Sequence, residues 1–176
     1  MAVLGAFGIE AALPARFGGR IFVRPKVGEE EPRPVAQFAT FWLPADVGDF
    51  GGGAVTLMRP DDVFAVLFDY GPGAVGKALF ARQGLPGPLS VADFRPTVLR
   101  RGQRAQVGTQ WFFTEGGRPF TFYAVLGSGS LARQLVPSVN QLLARLRVQP
   151  DGSGPTAAPA IGPAIGPAIG AAAPWN

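Results

Sequence analysis

The chain contains no cysteine and no histidine. The first absence excludes disulfides, a thiolate nucleophile and any cysteine-ligated metal. The second removes the commonest general base near neutral pH, the usual imidazole metal ligand and the centre of most nucleophilic triads. Lysine is scarce as well: all but two of the sixteen basic residues are arginine, the bias that GC-rich codons produce. No apolar run reaches eighteen residues, so no helix is expected to cross a membrane. Catalysis, if there were any, would have to come from twelve carboxylates, two lysines, two tyrosines or backbone donors.

What is present describes a globular chain. Of 176 residues, 47% are hydrophobic and 16% charged, enough for one domain with a real core. A formal charge of +4 over this length steers partners only weakly. The opening MAVLGAFGIEAALPA resembles a secretory leader in its apolar content. It lacks a basic start, and Glu10 interrupts it, so it reads as the first strand of the fold and the expected location is cytoplasmic.

Apolar alternation and turn residues organise residues 1–150 as one α+β domain. Residues 7–13, 20–23, 35–43, 54–58 and 63–70 read as strands, and residues 97–100 as a weak one. Residues 26–34, with Glu29, Glu30 and Glu31, read as a solvated loop. The clearest hairpin joins residues 106–115 to residues 119–127 across Gly116 and Gly117. Residues 131–146 then place Leu131, Leu135, Val136, Val139, Leu142, Leu143 and Leu146 on one helical face, with Pro137 as an internal break. Residues 151–176, containing three P-A-I-G repeats, read as an extended, mobile tail. Both faces of the strands at 63–70 and 119–127 are apolar. One helix cannot cover both, so short helical pieces in residues 71–93, a second subunit or an apolar partner must cover the other.

Several local motifs are weighed by the chemistry they need. Gly71, Gly76 and Lys77 have the spacing of a phosphate-cradling loop after a strand. Ala78 stands where the magnesium-binding hydroxyl belongs, Pro72 removes a backbone donor, and no sustained helix follows, so the segment reads as a turn. Asp49-Phe50-Gly51 matches a kinase tripeptide without its companion motifs and is likewise a turn. Glu10, Asp61, Asp62, Asp69 and Glu115 carry no spacing that pairs two carboxylates for acid–base work. Arg95, Arg100, Arg101 and Arg104 with Phe94 and Trp111 have the composition of a nucleic-acid stacking patch, but the neighbouring R-P-F-T-F-Y does not fit the RNA-recognition consensus.

The hairpin running into R-Q-L-V-P-S-V-N-Q-L-L-A-R-L-R-V, with the opening I-E-A-A-L-P-A-R-F-G-G-R-I-F, resembles Mog1/PsbP-like domains. The G-R-P-F-x-x-Y-x-V-L-G hairpin is similar to one in small proteins of high-GC bacteria. The resemblance implies an antiparallel sheet with a C-terminal amphipathic helix on one side and short helical cover on the other. It also implies a non-enzymatic binding, assembly or chaperone-like role toward a protein or apolar segment, or toward a second copy, with no cofactor. Phe41, Trp42, Trp111, Phe113 and Tyr123 are the candidate contact aromatics, with Arg100, Arg101 and Arg104 at the rim. A small-ligand carrier or carboxylate-based hydrolase is the alternative; nucleic-acid binding comes last.

Overall fold

The structure, a computed structural model, describes residues 2–23, 33–45, 47–99, 105–150 and 170–173, the last stretch by its backbone. In chain order its strands are β1 (Val3–Ala6), β2 (Ile9–Ala12), β3 (Gly18–Val23), β4 (Pro34–Ala39), β5 (Val63–Asp69), β6 (Val107–Glu115) and β7 (Arg118–Leu126). Helix α1 (Ala132–Leu143) follows, then β8 (Leu146–Val148) and β9 (Gly170–Ala173). The strands form two antiparallel sheets, a small one ordered β1-β2-β8 and a large one ordered β6-β7-β5-β4-β3-β9. The molecule is therefore α+β and mostly sheet, as the alternation predicts.

Two turns set the registers. Gly116 and Gly117 both have positive φ, which a two-residue hairpin turn needs and glycine adopts without a Cβ clash. They pair Glu115 with Arg118 and fix the β6–β7 register along nine residues. Phe7 and Gly8 make the corresponding turn between β1 and β2, with Phe7 itself in the left-handed region. The sequence reading ran a single strand through this point.

Because β residues alternate, these registers decide which side chains share a face. Val63, Ala65 and Leu67 of β5 line one face with Phe120, Phe122, Ala124 and Leu126 of β7, and with Ala36 and Phe38 of β4. Helix α1 buries Leu135, Val136, Val139, Leu142 and Leu143 against this face, and the small sheet adds Leu4, Ile9, Ala11 and Leu146. Phe38, Phe113, Phe120 and Phe122 are fully buried there. At about 25 cal/mol per Å² over roughly 150–250 Å² each, these rings dominate the hydrophobic stabilisation. Pro137 lies inside α1 but on its exposed side, where the missing backbone bond faces water.

The other face carries Val35, Ala39, Phe64, Val66 and Val125. Its cover differs from the expected one. Residues 47–58 cross it as an irregular strap, bringing in Val55 and Met58, while Leu43 packs beside them. The strap's only regular piece is a single 3-10 turn, Ala54–Thr56, where the sequence reading placed a strand. Residues 71–93 are instead divided between the two faces: Leu89, with Phe94 just beyond the segment, enters the helix-side core, and Phe80 goes to the opposite side. Reciprocal hydrogen bonds hold this segment to α1, Leu89 N–H to Asn140 Oδ1 (2.8 Å) and Asn140 Nδ2 to the Leu89 carbonyl (2.9 Å). Residues 96–98 form a 3-10 turn rather than a strand, since Pro96 supplies no ladder donor.

Candidate functional site

The strap is fixed by side chains of the sheet beneath it. Gln37, buried at the centre of β4, donates its amide to the carbonyls of Gly48 and Asp49, both at 2.9 Å. Its own Oε1 accepts from Arg20 Nη2 at 2.7 Å and Nε at 3.0 Å. Further along, Gln106 Nε2 donates to the Val55 carbonyl at 2.7 Å. Gly51 then passes so close over the Phe64 ring that a Cβ would overlap it, and its positive φ suits glycine alone. The D-F-G tripeptide is thus a turn, closed by Gly51 N–H donating to the Gly48 carbonyl (2.7 Å).

This path leaves part of the sheet face open. Phe50 hangs from the strap and stacks on Phe68 of β5 (centroids 5.4 Å), with its edge toward Tyr123 of β7 at 6.1 Å. Phe68 meets Tyr70 at 5.0 Å, and Tyr70 meets Phe80 at 5.0 Å and Phe112 of β6 at 6.4 Å. Phe80 and Phe112 close the chain at 5.9 Å. Six rings therefore form one continuous row from the strap to the 3-10 turn Ala78–Phe80. Phe80 is buried; Phe68, Tyr70, Phe112 and Tyr123 are half-buried, and Phe50 is 38% exposed. Val75 and Leu79 are exposed in the adjoining segment. Burial raises both phenols above the ordinary tyrosine value; at Tyr70 a hydrogen bond with Thr121 partly offsets this. The row is neutral at physiological pH, apolar in its ring faces and able to offer two phenolic hydroxyls.

The sequence-chosen aromatics do not form one site. Phe41 and Tyr123 belong to the strap side of the sheet. Trp42 is 66% exposed beside Phe41. Phe113 is a core residue and not a contact aromatic: the hairpin register puts it on the helix face, stacked on Phe120 at 6.0 Å and fully buried. Trp111 shares that face, donates from Nε1 to Thr109 Oγ1 (3.0 Å), and carries the Arg82 guanidinium 4.6 Å over its ring. Arg100, Arg101 and Arg104 lie outside the described residues. Phe50, Phe68, Tyr70, Phe80 and Phe112 were not selected. The alternation in 63–70 placed Phe68 correctly, but no local pattern says which part of an apolar face stays open.

The carboxylates are held by structural donors on separate elements. Asp69 receives Arg118 Nη2 at 2.7 Å and Nε at 3.1 Å in a buried pair, and accepts from the Gly71 N–H at 2.6 Å. Arg118 also donates to the carbonyls of Phe7 (3.1 Å) and Gln149 (3.4 Å), tying the large sheet to the end of the small one where the β1–β2 turn meets the exit of β8. Glu115 accepts from the Leu85 N–H, Asp62 from the Arg59 N–H and Thr40 Oγ1, and Asp93 from Ser90 in a capping box. Asp61 pairs with Arg16 at the surface. Among the described residues no group of three acidic side chains could hold a metal ion. The phosphate-like segment is two single 3-10 turns, Pro72–Ala74 and Ala78–Phe80, with no helix start to face an anion.

No family model, no curated protein and no solved structure matches the chain. No helix among the described residues is long and apolar enough to cross a membrane.

Proposed function

We propose that the protein is a non-enzymatic binding or assembly module that engages an apolar protein segment on the strap side of its large sheet. The observation carrying this reading is the row of six rings running from Phe50 to Phe80, five of them partly exposed. Aromatic side chains give large contact area at small entropic cost, and half-buried ones are already positioned for a partner. Asp61, Asp62, Asp69, Asp93 and Glu115 are tied to structural donors, which makes a hydrolase the weaker alternative. The sheet backed by one C-terminal helix is consistent with a Mog1/PsbP-like sandwich, and we read the module as cytoplasmic.

A defined test is titration with a set of labelled apolar peptides against the full chain. Phe50→Ser and Phe112→Ser should each weaken the binding members by about tenfold, the size expected for loss of an interface anchor. Trp42→Ala, outside the row, should leave them unchanged. Binding that ignores Phe50 and Phe112, or fails altogether, overturns the reading. Concentration-dependent dimerisation abolished by the same two changes would make a second copy the occupant of the row.

A further inference from the structure

The two edges of the large sheet are closed in different ways. Along β6, short pieces of neighbouring chain are bonded at both ends. Gly84 N–H donates to the Thr114 carbonyl and Thr114 N–H to the Arg82 carbonyl; Arg95 and Gly108 exchange a pair at 2.8 and 3.0 Å. These pieces are themselves anchored by Glu115 and by packing of Phe94 in the core. Along β3 the strand paired on the side away from β4, among the described residues, is β9, with Gly19, Arg20, Ile21 and Phe22 opposite Ala173, Ala172, Ala171 and Gly170.

That cover is weak for three reasons. Gly and Ala are among the poorest strand formers. The pairing uses four of the six residues of β3, and Pro174 follows directly, with no N–H to extend the ladder. The segment is also joined to β8 through a linking sequence that includes the nineteen residues 151–169, so its encounter with β3 is intramolecular, with an effective concentration of order millimolar. An extended segment of better strand-forming composition would therefore compete with it.

We infer that the β3 edge is a strand-docking site for an extended, proline-free partner segment of five to six residues with β-branched side chains, and that Gly170–Ala173 is its exchangeable resident. Main-chain hydrogen bonding supplies the affinity in this mode of recognition and side chains supply the choice of partner. The edge is a different surface from the aromatic row, so the two readings stand or fall separately. The P-A-I-G tract then has a role in this chemistry: it is the tether that delivers and limits the resident strand.

The test uses the full chain and a fluorescein-labelled synthetic peptide covering residues 168–173, carrying Ala171→Val and Ala173→Val. Donors alternate along an edge strand, so the double change Ala171→Pro with Ala172→Pro in the protein must remove at least one bond to β3. The double-proline chain should bind the peptide about tenfold more tightly than the unmodified chain, because the tethered competitor is gone. The unmodified six-residue peptide should bind more weakly than its valine form. Hydrogen exchange reads the same site: the amides of residues 19–22 that face away from β4 should be protected in the unmodified chain, exposed in the double-proline chain, and protected again by the peptide. A chain ending at Ile169 should behave as the double-proline chain does. Equal affinity for both chains, no binding to the double-proline chain, or unchanged exchange overturns the inference.

Discussion

The two faces of the large sheet solve one problem differently. Both are apolar, and both must be kept from water. On the helix side, regular elements supply the cover: α1 and the small sheet place side chains at fixed spacings, and the rings of Phe38, Phe120 and Phe122 are fully buried. On the other side, an irregular strap is hung from two glutamine side chains, and the row from Phe50 to Tyr123 remains half open. A helix covers a face by repetition. A strap covers only what it crosses, which makes the second side the natural place for a binding surface.

The comparison is tested most severely by truncating one ring on each side. Phe122→Ala should cost about 3–5 kcal/mol, the range for a large buried ring that leaves a cavity. Phe68→Ala, which removes a half-buried ring, should cost about 1–2 kcal/mol. Chemical denaturation of the two variants measures both, and equal losses would mean that the strap side is as tightly packed as the helix side. Gly51→Ala should cost less than Phe122→Ala, at about 1–3 kcal/mol, since the added methyl meets the Phe64 ring at a backbone angle that disfavours it. Gly52→Ala, which meets no atom, is the control and should fall within about 0.5 kcal/mol.

The smallest effect sharpens the comparison through pH. Burial raises the phenols of Tyr70 and Tyr123 in the folded state. Below the ordinary tyrosine value, near 10, both states keep the proton and these groups contribute no pH dependence. As pH rises through that value the unfolded chain releases protons first, so stability falls until the folded phenols ionise as well. Thermal melts should therefore show Tm decreasing above about pH 10, with a shallower decrease in Tyr123→Phe and Tyr70→Phe. An unchanged slope in both variants would show that the row is more hydrated than its burial indicates.

Much of the helix side was legible in the sequence. Gly116 and Gly117 announce the long hairpin, and the spacing from Leu135 to Leu143 announces the buried face of α1. The strand faces of 63–70 and 119–126 follow from alternation. The strap side was not legible to the same degree. Residues 54–58 have apolar content like a strand, but hydrogen bonds from Ala54 and Val55 to the Gly51 carbonyl commit them to turns. Phe50 reads as an ordinary turn residue until Gln37 pins Gly48 and Asp49 above Val66, its cross-strand neighbour, through contacts eleven and twelve residues away. Phe113 falls on the other face because an aromatic in a hairpin that is apolar on both sides has the same local signature on either one. Only the register relative to the covered side separates them.

The small sheet joins the beginning of the chain to its far end: Ile9 lies opposite Val148, and the Gln149 N–H donates to the Gly8 carbonyl at 2.8 Å. During synthesis the β1–β2 hairpin leaves the ribosome well before β8, its partner strand, is made. At about 5–20 residues per second this delay is roughly 7–28 s. Throughout it Leu4, Ile9 and Ala11 have no β8 to pair beside, and Arg118, once made, still waits for the Gln149 carbonyl. The β1–β2 hairpin thus waits for a partner strand made much later, and during that interval its free edge is open to chaperones and to other nascent chains.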